Sequence, residues 1–557
     1  MTPSLFRLKS WLRTGAGLAC LAWAMGGQVA AAAAPQPQYT GDLIIKWRDD
    51  TSGTRKTLSA SEASNRLLSV AQAAGSALQV KRTLATNAQL MHTGLIDAAS
   101  IQAAVNKIAQ DARVAYVVPD RILRPNTIPN DPLFATQSNL AAPAQVPGGI
   151  NAAAAWNITQ GSTGIVVAVV DTGYTDHPDL SAKILPGYNF ISDPARAGNS
   201  FGRGTDAHDL GDGVLSDTQY PSLGCPPPST DVKYPQPNSW HGTEVSSVLA
   251  ASTNNMQTIA GVGWNTPVVP VRVSGKCGAL LSDTVDGMLW AGGIAVSGVP
   301  ANANPARVVN VSLGSTTQCS AAEQDAVNQL AARGAIVVAA AGNEAAQTVD
   351  APANCTGAIA VTAHVDSGEN ASYANVGPQV ALSAPGGGCG NSKVVATTNP
   401  ATCAEPVSVI QADSNDGKQS VGNPTVRSVA GTSFSTPETA GTIALMLSVQ
   451  PQLSNAQILA GLKQTARPHP SGTFCAVNTG VCGAGLLDAA GAVSYAQNTA
   501  PAGAGSGTSG SAGSTGSTGS TGGGGGGAVP LVGAALLLAA GMVGGRRRRR
   551  EGPASRG

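Results

Sequence analysis

Charge is scarce in this chain. Asp, Glu, Lys and Arg supply 12% of its 557 residues and leave a formal net charge of +1, where average soluble proteins carry about 25%. So even a balance excludes an electrostatic case for nucleic acid as a partner. Metal signatures are missing too. No Cys and His spacing matches a zinc site, and the acid-rich stretch 206–217 does not fit an EF-hand loop. Neither of the two apolar runs considered, 18–25 and 528–543, reaches the ~20 residues of a stable membrane span. Asp-Thr-Gly occurs once, where a two-aspartate site would want a second such triplet, and Ser433 is not set in Gly-x-Ser-x-Gly. What is plentiful is Gly (68) and Pro (35), which mark loop-rich and low-complexity stretches in a chain too long for one ordinary domain.

Five segments follow from composition. Residues 1–34 read as a secretory signal: Arg7, Lys9 and Arg13, then the apolar run 18–25, then alanines at 30–34 as the small-residue cleavage region. Residues 35–126 form a small α+β unit. Strands are expected at 42–47 and 114–118, with helices over 60–73 and 101–109 burying Leu67, Leu68, Val70 and Ile101, Val105, Ile108. In 127–498 the apolar runs 165–170, 268–273, 308–311, 335–340 and 358–361 alternate with helical patterns. Such runs suit a parallel sheet covered by helices on both faces. Residues 499–527, with Ser514-Thr515-Gly516 repeating, are a flexible linker. The tail, 528–557, joins an apolar segment to Arg546–Arg550, whose charge would hold that end on the cytoplasmic side.

Export favours disulfides. Cys20 lies in the signal, which leaves Cys225, Cys277, Cys319, Cys355, Cys389, Cys403, Cys475 and Cys482. Connectivity is open at this level. Pairing of neighbours along the chain is the working expectation, and free buried thiols are the alternative.

Three strings carry chemistry: Asp171-Thr172-Gly173, His241-Gly242-Thr243 and the run from Gly431 to Pro437 that contains Ser433. A serine hydroxyl is a poor nucleophile at neutral pH. It needs an imidazole to take its proton and a buried carboxylate to orient that imidazole. Asp171 closes an apolar strand. His241 precedes a helical stretch, 244–252, with Val245, Val248 and Leu249 on its apolar face. Ser433 heads a helix that runs through Ala440, Ile443, Ala444 and Leu447. Unpaired N–H groups at a helix start favour developing negative charge. Pro437 is expected in the first turn, where no N–H is needed. Gly242 is expected to let substrate and Ser433 approach the imidazole.

The chain order Asp, His, Ser resembles the subtilisin-like serine proteases, the subtilases or peptidase family S8. The resemblance spans 127–498 and implies an α/β catalytic domain with a mostly parallel sheet flanked by helices. It implies that Asn343 donates to the oxyanion beside the Ser433 N–H, and that Ser312-Leu313-Gly314 pairs with the substrate backbone as an added strand. Gly314, Ala340 and Gly342 would leave an open first specificity pocket that admits large apolar groups. The string His177-Pro178-Asp179-Leu180 resembles the one whose aspartate binds structural calcium, with Asn255 as a second ligand. Asp206, Asp209, Asp212 and Asp217 are a second calcium candidate, against the plainer reading of a solvated loop. No organic cofactor is implied. Phe434 and Ser435 stand where the family usually has Met and Ala, which predicts altered packing, not lost chemistry.

The unit 35–126 is similar to inhibitory propeptides of this family, which act as intramolecular inhibitors, and Asn130-Asp131-Pro132-Leu133-Phe134 resembles the start of mature enzymes. An accessory α+β domain is the alternative. The tail resembles GlyGly-CTERM sorting tags of Gram-negative bacteria, which a dedicated intramembrane protease removes. An ordinary membrane anchor is the alternative. The expectation is an exported, monomeric serine endopeptidase that cuts polypeptides outside the cell or at its surface and matures itself from a zymogen. A processing protease for one partner, or a surface binding protein that kept the fold and lost activity, are the rivals. Against the latter, none of Ser433, His241 and Asn343 is substituted.

Overall fold

Seven parallel strands carry the active half of the molecule in this computed structural model. It describes residues 39–48, 60–95, 97–121 and 127–501, except 215, 217, 226, 228–233, 392–393, 396–401 and 405. The signal, the linker beyond residue 501, the C-terminal segment and Asp217 lie outside the described residues.

The N-terminal unit runs β1 (Tyr39–Trp47), α1 (Ala60–Ala74), β2 (Gln79–Thr83), β3 (Gln89–His92), α2 (Ala98–Ile108) and β4 (Val114–Arg121). Its strands pair antiparallel in the order β2-β3-β1-β4. Alternate residues of β1, namely Leu43, Ile45 and Trp47, face Val70 of α1 and Ile101 and Ile108 of α2 in one core. Leu68, expected inside, is 57% exposed. At 100° per residue it falls off the stripe through Leu67, Val70, Ala71 and Ala74.

The larger part continues with α3 (Ala152–Trp156), β5 (Val167–Asp171), β6 (Tyr188–Asn189), α4 (Pro194–Ala197), α5 (His241–Ala250) and β7 (Val268–Arg272). A short ribbon of β8 (Ser274–Gly275) and β9 (Gly278–Ala279) leads to α6 (Leu281–Ala291), β10 (Val308–Val311), α7 (Ala321–Ala332), β11 (Ile336–Ala340), β12 (Ile359–His364) and β13 (Val380–Pro385). Then come the ribbons β14 (Val394–Val395) with β15 (Thr402–Cys403) and β16 (Ile410–Asn415) with β17 (Pro424–Val429). The helices α8 (Thr432–Val449), α9 (Asn455–Thr465), α10 (Phe474–Val477) and α11 (Ala489–Asn498) finish the described chain.

The sheet order is β13-β12-β11-β10-β5-β7-β6, parallel throughout. Side chains alternate between two cores. Val167, Val169, Val308 and Val338 pack with Val245 and Leu249 of α5, Ile443 and Leu447 of α8, and Val493 of α11. Ala168, Val170, Val309, Val311 and Val337 pack with Met288 and Trp290 of α6 and Val327 and Leu330 of α7. Each fully buried Val or Leu contributes about 1.5–3 kcal/mol relative to exposure. Helix α8 is buried on every side from Thr432 to Leu447. Three of its threonines need no external partner there, because Thr436, Thr439 and Thr442 donate to carbonyls four residues back.

From β5 the chain first builds β6 and β7 on one side and then crosses to β10 on the other. Crevices at the carboxyl ends of strands flanking such a reversal are where open α/β sheets bind ligands. The disulfides join Cys225 to Cys277, Cys319 to Cys355, Cys389 to Cys403 and Cys475 to Cys482, the neighbour pairing expected from the sequence. Among the described residues no helix is long and apolar enough to cross a membrane.

Candidate active site

Three carboxyl ends of neighbouring strands meet at one crevice. Asp171 is the last residue of β5 and is fully buried. Its Oδ1 accepts the Thr172 N–H at 2.7 Å and lies 2.8 Å from His241 Nδ1. Its Oδ2 is buried without a partner. An acid so enclosed holds one imidazole tautomer and one ring orientation.

His241 opens α5 directly after Trp240, whose left-handed φ of 59° turns the chain into the helix. The Trp240 ring is pinned by its Nε1–H to the Gly417 carbonyl at 2.7 Å. The His241 N–H donates to Ser239 Oγ at 3.2 Å, and Ser239 in turn gives its N–H and hydroxyl to Asp212. Gly242 acts differently from the sequence expectation. A Cβ there would lie 2.2 Å from the Gly173 carbonyl oxygen, so its smallness seats α5 on the loop after β5, and its N–H donates to Thr172 Oγ1 at 2.9 Å. Burial disfavours the imidazolium of His241. The adjacent Asp171 carboxylate outweighs this, and the pKa is raised to about 9.

Ser433 is the second residue of α8, where the N–H has no intrahelical acceptor. Its hydroxyl donates to the Ser312 carbonyl at 3.1 Å. Apo hydrogen bonds of catalytic groups often rearrange on substrate binding, so this pose does not disqualify the nucleophile. Phe434 is buried with its ring centroid 5.7 Å from that of His241, and the Ser435 hydroxyl reaches the Ala384 and Pro385 carbonyls at 3.0 Å. Both departures from the family pattern are therefore absorbed by packing. Pro437 is not in the first turn. It is the sixth residue of α8 and removes the N–H that would bond to the Ser433 carbonyl. Ser312 Oγ supplies that bond instead at 2.8 Å.

Asn343 follows β11. Its Oδ1 accepts both the N–H and the hydroxyl of Thr432, each at 2.9 Å. That leaves the amide NH₂ with no hydrogen-bond partner among the described residues. Thr432 is invisible to motif reading because its role exists only once α8 meets the loop after β11. Ser312, Leu313 and Gly314 follow β10, and Ala340 and Gly342 lie at the end of β11, forming two walls beside Ser433. The sequence also holds a second acid triplet, Asp366-Ser367-Gly368, of the kind a two-aspartate site would want. Asp366 accepts from Ser138 Oγ at 2.9 Å and has no bond to Asp171.

The calcium candidates divide. Asp179 is fully buried. Its Oδ1 accepts Asn255 Nδ2 at 2.7 Å and its Oδ2 accepts Thr258 Oγ1 at 2.6 Å. Asp413, from the distant β16, shares Thr258 Oγ1 at 2.6 Å and leaves Oδ2 buried without a hydrogen bond. Asp131 accepts the N–H groups of Asn254 and Asn255. Burial, with Asp179 and Asp131 nearby, pushes Asp413 up to about 8 against the pull of Thr258. The crowded buried acid suits a hard divalent cation. But Asn255 turns its amide nitrogen to Asp179 and its oxygen to the Gln257 N–H, and His177 Nδ1 lies 3.5 Å from Asp413 Oδ2, so a cation here would need the Asn255 amide to turn. In the second set Asp206 turns to His208 at 2.6 Å and Asp212 braces Ser239. Asp209 caps the Gly211 N–H at 2.8 Å, but its Oδ2 is buried without a hydrogen-bond partner, and burial followed by the Asp212 charge raises it to about 7. With Asp217 outside the described residues, this candidate stays an expectation. Among the described residues the one cluster with metal-like closeness is Cys319, Glu323 and Cys355, whose sulfurs are already joined.

An acid, an imidazole, a hydroxyl and an amide lie at one switch-point crevice, the set of side chains that a serine hydrolase uses. The chain belongs to the subtilase family, whose model matches residues 162–514, and it is a subtilisin-type serine endopeptidase. It is similar to an extracellular protease of Xanthomonas campestris pv. campestris, 38% identical over 465 residues, covering 82% of this chain and 73% of that protein. An extracellular basic protease of Dichelobacter nodosus is 33% identical over 465 residues, covering 82% and 71%. Among solved structures, a protease from Pseudoalteromonas arctica shares 39% identity at a TM-score of 0.58, covering 66% of this chain and 100% of that one.

Proposed function

We propose that this chain is the precursor of an exported endopeptidase that matures itself. Residues 1–34 direct export, 35–126 occupy the enzyme's own site as an inhibitor until cut, and 127–498 are the catalytic domain. After the linker 499–527, the tail 528–557 holds the protein at the membrane until a sorting protease removes it. The extracellular relatives support export, and the antiparallel α+β unit ahead of the catalytic domain supports the inhibitor role.

Ser433 attacks the scissile carbonyl while His241 Nε2 takes its proton, and Asp171 steadies the imidazolium. The oxyanion forms against the Asn343 amide and the Ser433 N–H. His241 then gives its proton to the departing amine, and water repeats the sequence on the acyl-enzyme. Calcium, when bound at Asp179 and Asn255, neutralises buried acid and stiffens the loop after α5. It takes no part in the chemistry.

The observation that carries this reading is the Asp171–His241 bond beside a helix-start serine, with the Asn343 oxygen already engaged by Thr432. The test compares the full-length protein with its Ser433→Ala form, following propeptide release by mass and casein cleavage by fluorescence. Release and cleavage by the unmodified protein alone are expected. Equal processing of both forms would show that another protease does the cutting.

A further inference from the structure

The two walls beside Ser433 end on an acid. Asp350 donates its N–H to the Ala341 carbonyl at 2.9 Å, and Ala351 exchanges both backbone hydrogen bonds with Ser315, each at 2.9 Å. The segment 350–351 therefore ties the wall after β11 to the wall after β10 and closes the pocket at its far end. Its side chain faces inward. A Cβ added to Gly342 would lie 2.7 Å from Asp350 Oδ2, and one added to Gly314 would lie 3.4 Å from the same oxygen. Two glycines, one from each wall, thus look onto one carboxylate oxygen.

That oxygen has no cationic partner. Asp350 is only 5% exposed, its Oδ1 receives Asn375 Nδ2 at 3.2 Å, and its carboxyl also meets the Glu344 carboxyl. Among the described residues no Lys, Arg or His lies within ion-pair distance of Asp350 or of Glu344. Glu344 is exposed beside it. Its Oε2 takes the Asn343 N–H at 2.9 Å and Asn375 Nδ2 at 2.7 Å. Burial first, then the neighbouring Glu344 charge, lifts the Asp350 carboxyl to about 6.

We propose that Asp350, assisted by Glu344, makes this pocket selective for a lysine or arginine side chain on the residue whose carbonyl Ser433 attacks. The assignment rests on Ser433 being the nucleophile. An enclosed carboxylate without a counter-charge is costly, and a substrate ammonium or guanidinium entering between bare glycine walls removes that cost. A large apolar group would instead cover the acid and strip its remaining solvation. On this proposal the open apolar pocket expected from Gly314, Ala340 and Gly342 becomes an acidic one, with a floor from a segment the motifs do not include.

The experiment uses the matured enzyme and four peptides that differ only in the residue before the scissile bond: Arg, Lys, Phe and Glu. Arg and Lys are expected to exceed Phe in kcat/KM by at least about tenfold, with Glu last, because a site built for a charged partner discriminates strongly. Asp350→Asn should lower the Arg-to-Phe ratio at least about tenfold. Glu344→Gln should lower it by less, and that variant serves if Asp350→Asn does not fold. Preference of the unmodified enzyme for Phe, or Arg and Phe falling in parallel in both variants, overturns the proposal. Cleavage of none of the four overturns the assignment of Ser433 itself, a result separable from a wrong preference.

Discussion

His241 is where residue chemistry sets the working pH. The imidazole can accept the Ser433 proton only when neutral, and Asp171 holds its pKa up at about 9. Activity should therefore fall as pH drops through the alkaline range, with the acid limb of kcat/KM well above the ordinary histidine value of about 6.5. Removing the carboxylate with Asp171→Asn should move that limb to lower pH and reduce kcat by about 10⁴, the loss known for an equivalent change in a serine protease. A pH profile of both forms checks this, and an unmoved limb would mean that Asp171 does not set the histidine. The same pairing has the opposite trend in stability. A raised histidine pKa stabilises the fold fully below its unfolded value and loses that contribution as pH rises through about 9. Asp171, His241, Ser433 and Asn343 could be proposed from the sequence because each sits in a short string at an element boundary. Asp350, Asp413 and Thr432 could not, since each acquires its role from a partner in another segment.

At the scale of elements, the approach of α5 to the loop after β5 decides whether acid and base meet. Gly242→Ala would drive a Cβ into the Gly173 carbonyl, 2.2 Å away, and the Gly173 N at 3.0 Å leaves no room on the other side. Overpacking of this kind costs about 1–3 kcal/mol. The thermal midpoint should drop when measured on a Ser433→Ala background that cannot digest itself. In the active protein kcat should fall more than KM changes, because the Asp171–His241 contact opens. A midpoint and a kcat both equal to those of the parent would contradict this account. The five expected strands of the catalytic domain all appear, with ends shifted by a few residues, because continuous apolar runs have no stable place except a doubly covered sheet. β13 was missed. Its sequence, VALSAP, breaks the apolar run with Ser383 and ends on Pro385, and only pairing with β12 makes it a strand.

The whole molecule brings Asp131, Asp179 and Asp413 to the one loop at 254–259, although the first two come from early and the third from late in the catalytic domain. Their crowding predicts that calcium is part of the stable fold. Chelation should lower the thermal midpoint of the Ser433→Ala protein. Calcium at 100 times its Kd should restore about 2.7 kcal/mol. Asp179→Asn should abolish the calcium response, whereas Asp206→Asn should leave it intact. A calcium response that survives Asp179→Asn would place the ion elsewhere.

The sequence by itself determined the class of chemistry and the class of fold. Nucleophile, base, acid and oxyanion donor lie in local strings at strand ends and helix starts, and the apolar runs admit only a covered parallel sheet. Tertiary structure alone decided what surrounds that chemistry. It set the acid at the end of the pocket, the third carboxylate beside Asp179, the hydroxyl that replaces the proline's missing donor, and the local partners of Asp206 and Asp212. The physical reason is range. Backbone preference and hydrophobic period act over a few neighbours and can be read along the chain. Charge, burial and hydrogen-bond partnership depend on which distant segments the closed core brings within a few ångströms.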